Sequence, residues 1–121
     1  MFDIDSIVLY VEDISRSKKF YAELLDCTPR ELSPTFVSLA LPAGFKLELK
    51  ARAANQPPSA VTGGGCEICI KVPDAASLDA VFAAWRSKGT DMAQQPTRVP
   101  YGLTFVALDP DAHRIRVFAE G

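Results

Sequence analysis

Glu48, Glu67 and Arg116 lie on the polar side of three alternating, strand-like segments, F-K-L-E-L-K, E-I-C-I-K-V and H-R-I-R-V-F. Ser6 holds the corresponding place in a fourth, S-I-V-L-Y-V. Two carboxylates brought together could act as general acid and base. An arginine beside them favours the ionised form of both, which argues against a raised pKa on either. A guanidinium between two carboxylates would instead make a fixed polar floor, able to grip a polar or zwitterionic ligand by charge-assisted hydrogen bonds. Charges on one strand face are also commonly just solvated. The choice between the two readings depends on what positions these residues.

Other reactive groups are sparse. His113 is the single histidine, so no Ser-His-Asp set can be built around alternatives. It falls on the opposite strand parity from Arg116 and reads as a turn-flanking surface residue rather than a ligand. Cys66 and Cys69 have a C-x-x-C spacing, but residues three apart on a strand point to opposite faces and cannot readily share an ion. With Cys27 they read as reduced cysteines filling small spaces. The G-G-G at 63–65 precedes a strand-like run and not a helix, so it does not cradle a phosphate.

The elements that must hold these residues occur twice. Residues 6–25 run S-I-V-L-Y-V-E-D into a helical stretch ending F-Y-A-E-L-L; residues 67–86 run E-I-C-I-K-V-P-D into L-D-A-V-F-A-A-W-R. Each half closes on a strand-like segment, at 45–50 and 113–118. Such a repeat implies two copies of one supersecondary unit, with a cleft where they face each other. In the first helix Phe20, Tyr21, Leu24 and Leu25 form the apolar stripe, with Asp13 or Ser15 as cap. In the second, Leu78, Val81, Phe82 and Trp85 form it, starting at Asp74 or Ser77 and ending at Lys88-Gly89. That spacing puts Trp85 in the core and not on a ligand. Ile7/Leu9/Val11, Phe45/Leu47/Leu49, Ile68/Ile70/Val72 and Ile115/Val117 alternate and should pack under the helices. Residues 26–34 read as a connection, 35–41 and 102–108 as strands, 42–44 and 109–112 as turns. Aligning Pro42 with Pro110 puts Phe36 opposite the core face and Phe105 within it. Phe36, Tyr10 and Tyr101 are then the candidates for stacking on a planar ligand. Arg30, Glu31, Arg52 and Arg98 read as ordinary surface charges.

The chain has 121 residues and a formal net charge of -2. That length suits one domain, 1–121, made of module one at 5–50, a Pro- and Gly-rich linker at 51–65 and module two at 66–120. The charge balance leaves no electrostatic footprint for nucleic acid. No apolar run approaches a membrane helix, and no basic n-region leads into an apolar core. A cytoplasmic protein without nucleic-acid or membrane partners is expected.

These segments resemble the vicinal oxygen chelate superfamily of glyoxalases, bleomycin-resistance proteins and extradiol dioxygenases. The resemblance rests on V-L-Y-V-E-D, Ser17 and F-Y-A-E-L-L at the start and on F-V-A-L-D-P-D-A-H-R-I-R-V-F at the end. Asp26 and Ala112 stand where this pattern commonly has glycine. Ala112 therefore asks for a turn without positive φ, or accepts strain. The resemblance implies an α+β fold of two βαβββ modules whose curved mixed sheets form a cleft, commonly in a homodimer. In the metal-dependent members one residue from each of four strands binds a divalent ion. Carried over, those positions are Ser6, Glu48, Glu67 and Arg116. Only the glutamates are plausible ligands, and an arginine cannot coordinate. The reading favoured is therefore a small-molecule binding protein without metal or other cofactor, which sequesters an antibiotic, a planar aromatic or a glycopeptide. Ser6, Tyr10, Phe36, Glu48, Glu67, Tyr101 and Arg116 would line its site. A metal-dependent lyase, isomerase or dioxygenase of the same fold is the alternative, and a non-catalytic partner domain the third.

Overall fold

A computed structural model describes residues 2–42 and 44–121. The chain divides into two compact units, Met1–Gly63 and Gly64–Gly121. Each is a βαβββ unit: β1 (Ser6–Val11), α1 (Ile14–Leu25), β2 (Arg30–Ser33), β3 (Phe36–Ala40) and β4 (Lys46–Ala51) in the first; β5 (Glu67–Lys71), α2 (Ala75–Ser87), β6 (Asp91–Val99), β7 (Gly102–Leu108) and β8 (Arg114–Glu120) in the second. The four-stranded sheets have the same plan, β1-β4-β3-β2 and β5-β8-β7-β6. In both, the first strand pairs parallel with the last and the other neighbours are antiparallel. The architecture is α+β, as the resemblance implied.

Local chemistry starts both helices in the same way. The Asp13 carboxylate accepts the Arg16 N–H at 3.1 Å, and that of Asp74 accepts the Ser77 N–H at 2.7 Å. The acids, and not Ser15 or Ser77, are the caps, each satisfying a backbone donor with no helical partner. Asp26 ends α1 in the left-handed region at φ 50, where glycine would be free of the penalty an L-residue carries. Of the expected turn at 42–44, Ala43 lies outside the described residues; Gly44 has φ 82 and donates to the Leu41 carbonyl at 3.0 Å.

Alternation decides the core. Leu9, Val11, Val37, Leu39, Leu47 and Leu49 are buried beside Tyr21 and Leu24 of α1 in the first unit. In the second, Phe105, Ala107, Ile115, Val117 and Ala119 are buried with Leu78 and Trp85 of α2. Trp85 and Phe82 both meet the Phe105 ring edge-on, at centroid separations of 5.6 and 5.3 Å. The parity inferred from Pro42 and Pro110 is the observed one: Phe105 is in the core, and Phe36 pairs with Lys50 on the helix-free face. The edge strands β1 and β5 are less covered than alternation implied, since Ile7 is exposed and Ile68 and Ile70 are half-buried.

Several expectations are corrected. Residues 30–33 form β2 within the expected connection, and 91–99 form β6, which the alternation did not reveal. Cys66 and Cys69 are exposed and do not fill gaps, while Cys27 is partly buried. His113 is buried, not a surface residue: its Nδ1 lies 2.7 Å from Asp109 Oδ2. The other Asp109 oxygen accepts the N–H groups of Asp111 and His113, both at 2.8 Å. One buried carboxylate thus organises the whole β7–β8 turn. Ala112 in that turn accepts the strain, at φ 66. Arg52 is not an ordinary surface charge, because it makes paired 2.8 Å bonds to Glu12 and a 3.0 Å bond to the Ser59 carbonyl. Through these bonds one side chain ties the end of β1 to the segment that follows β4.

Candidate functional site

In the second unit, β5, β6, β7 and β8 direct Glu67, Gln94, Thr104 and Arg116 to the face of the sheet away from α2. The Arg116 guanidinium meets the Glu67 carboxylate in a paired contact, Nε to Oε1 at 2.9 Å and Nη2 to Oε2 at 3.0 Å. Its Nη1 donates to Thr104 Oγ1 at 3.1 Å and to Gln94 Oε1 at 3.5 Å. Thr104 is fully buried and donates its own hydroxyl to the Val117 carbonyl at 2.9 Å. That bond fixes the direction in which its oxygen accepts from Arg116. The arginine is therefore held from three strands, and its plane is set by its surroundings.

The electrostatics follow the contacts. Hydrogen bonding from Arg116 holds the Glu67 carboxyl below its ordinary range, with further help from the charges of Arg116 and Arg114 against the opposing effect of burial. The carboxylate in turn raises the arginine. Both groups stay ionised through the neutral range, so Glu67 is no reservoir for a proton. Arg114, two residues along β8, approaches Glu67 at 3.8 Å with its side chain 57% exposed. Tyr101, exposed in the turn before β7, meets Phe118 edge-on at 6.1 Å.

In the first unit, the helix-free face carries Ser6, Tyr10, Phe36 and Glu48. Glu48 pairs in register with Val8 and Ser38, and Ser6 with Lys46. Glu48 is buried, and its carboxylate has no hydrogen bond or ion pair among the described residues. Phe36 is half-buried, with the Lys50 ammonium 5.5 Å from its ring centroid. The Lys50 ammonium also donates to Thr35 Oγ1 at 3.1 Å. This face thus offers a flat ring, a phenol and a carboxylate.

The donor set fits a divalent ion poorly. Of the four positions carried over from the metal-dependent enzymes, Arg116 cannot coordinate, Glu67 is engaged by it, and Ser6 is a weak donor. No three of His, Cys, Asp or Glu come together as a metal site among the described residues. Two residues of the network, Gln94 and Thr104, were not anticipated. Thr104 could have been found, because the Pro42–Pro110 alignment that placed Phe36 puts Thr104 at the same position. Gln94 had no such signal, since β6 itself was not legible.

Two βαβββ units of the same strand order define the architectural class of the chain. The chain belongs to the Glyoxalase/Bleomycin resistance protein/Dioxygenase superfamily, whose family model matches residues 3–117. It is 28% identical over 113 residues to the phenazine antibiotic resistance protein EhpR of Enterobacter agglomerans, covering 91% of this chain and 86% of that one. The solved structure of protein ATC0852 from Agrobacterium tumefaciens is 43% identical, with a TM-score of 0.91 over 100% of this chain and 99% of that one. TnmS3, an antibiotic binding protein from Streptomyces sp. CB03234, shares the fold at 21% identity, with a TM-score of 0.75 and coverage of 100% and 98%.

Proposed function

We propose that the protein binds a small, planar, polar molecule and sequesters it without chemistry, in the manner of an antibiotic-resistance protein. The observation that carries this is the Glu67–Arg116–Thr104–Gln94 network. On the strand alignment inferred from the resemblance, Arg116 takes the place of a ligand of the metal-dependent members, and it engages the neighbouring Glu67 carboxylate. What remains is an oriented polar surface with aromatic rings beside it, the composition of a binding site. The likeness to EhpR supports a planar heteroaromatic ligand. Ser6, Tyr10, Phe36 and Glu48 of the first unit and Glu67, Tyr101 and Arg116 of the second are the proposed ligand-contacting residues.

The test is a thermal-shift screen of phenazines, bleomycin-like glycopeptides and other planar antibiotics, followed by titration of the hits. Stacking on an aromatic ring contributes roughly 0.5–1.5 kcal/mol beyond burial. With the lost contact area, Phe36→Ala is expected to weaken a planar hit about tenfold. Hits that bind the variant as well as the wild type would remove Phe36 from the site. A tightly held Zn²⁺, Ni²⁺, Mn²⁺ or Fe²⁺ that disappears in Glu48→Gln, with turnover of a thiohemiacetal or catechol, would replace sequestration by catalysis.

The proposal includes a homodimer. Phe2, Ile4, Ile7 and Val8 are exposed at and before the edge strand β1, apolar side chains that a second chain would cover. Sedimentation is expected to give a dimer at micromolar concentrations; a monomer throughout would refute this part.

A further inference from the structure

The anionic substituent of a ligand would ordinarily be assigned to Arg116, the arginine at the centre of the network. The hydrogen bonding argues otherwise. A guanidinium has five N–H donors, and four of those of Arg116 are engaged: two by Glu67, one by Thr104 and one by Gln94. An incoming carboxylate could not form a paired contact without displacing Glu67, whose own charge would repel it. Arg116 can still offer its face to a planar ring.

Arg114 is in the opposite condition. Its guanidinium makes no hydrogen bond among the described residues, and its one ion pair, to Glu67, is loose at 3.8 Å. It lines an open groove of about 510 Å³ with Gly64, Gly65, Cys66, Glu67 and Ala112. The backbone N–H groups of Gly64, Gly65 and Cys66 likewise have no partner among the described residues. Gly64 and Gly65 both have positive φ, at 116 and 72. A glycine run of this kind leaves backbone donors uncovered by side chains. Arg114 and Glu67 are the charged side chains lining the groove, and the Glu67 carboxylate is already engaged by Arg116.

We propose that this groove is a subsite for an acidic substituent, a carboxylate or phosphate, carried by the ligand. Arg114 supplies the charge and the 64–66 loop supplies backbone donors. Arg116 serves the planar ring and is closed to the acid. The inference rests on the small-molecule-binding reading and names which ligands that site prefers.

Phenazine and phenazine-1-carboxylate, titrated at neutral pH and moderate ionic strength, test it. The carboxylate is expected to bind the wild type about fivefold more tightly, the yield of one partly exposed charge-assisted contact. Arg114→Gln should abolish that difference and leave phenazine itself unchanged, and Arg114→Lys should restore part of it. Equal affinities in the wild type, or a preference that survives in Arg114→Gln, would overturn the subsite while leaving sequestration intact. Failure of both compounds to bind would overturn the subsite together with the reading beneath it.

Discussion

Phe105→Ala is expected to lower the free energy of unfolding by about 3–5 kcal/mol, a large part of a small domain's stability. Phe105 is fully buried and holds together the two aromatic residues of α2, Phe82 and Trp85. Removing its ring forfeits apolar burial and two edge-to-face contacts. It also opens a cavity that the flanking strands cannot close, because β7 is hydrogen-bonded on both sides by β6 and β8. Phe105→Leu should retain most of the volume and cost clearly less. Urea unfolding followed by Trp85 fluorescence reads the difference directly. A loss below about 1 kcal/mol for the alanine variant would mean that the core of this unit is not where the packing places it.

Gly102→Ala is expected to be nearly as damaging, by a different route. Gly102 opens β7 at φ 144, and a Cβ there would be driven into the carbonyl oxygen of Ala119 on β8. Neither atom can yield without breaking the register in which Gly102 opposes Glu120 and Leu103 opposes Ala119. The unfavourable backbone region and the displaced strand together should cost about 3 kcal/mol. Gly44→Ala is the matched control. Gly44 also has positive φ, at 82, but a Cβ there meets nothing within 4 Å, so only the left-handed penalty of about 1 kcal/mol applies. Equal effects of the two variants would show that backbone conformation, and not the close approach, governs Gly102. Since Tyr101 immediately precedes this residue, Gly102→Ala should also weaken any ligand that stacks on Tyr101.

The sequence reveals the strands that are covered by a helix on one face and polar on the other. β4 and β5 largely alternate apolar and polar side chains, and β1 and β8 do so except where Val8 and Phe118 put an apolar side chain on the polar face. β2 has no such pattern because all four of its residues, Arg30 to Ser33, are exposed. β6 hides for other reasons: it contains Pro96 and shifts register twice against β7, and proline and bulges both erase a period of two. The same physics limits what can be read of the site. Glu48, Glu67 and Arg116 stand out because they are charged and fall on the right parity. Thr104 sits in an apolar run and looks like core until its hydroxyl is seen between Arg116 and Val117. His113 and Asp109 look like exposed turn residues because burial of a polar pair depends on their contact, which neither residue's type discloses.

The strand order has a consequence for how the chain acquires its structure during synthesis. The last strand of each unit is not added at a sheet edge. β4 inserts between β1 and β3, and β8 between β5 and β7. Until residues 114–120 emerge, β5 has no neighbour in its sheet, and the β6–β7 hairpin has no strand beyond its β7 side. The parallel register Glu67–Arg114 through Lys71–Phe118 is what joins β5 to the rest of its sheet. Ribosome-bound chains stopped at the β7–β8 turn should therefore leave the second unit open to protease while the first is already resistant. Closing such long-range pairs late is slow compared with helix formation. Each unit therefore forms in one cooperative step, completed when its final strand arrives.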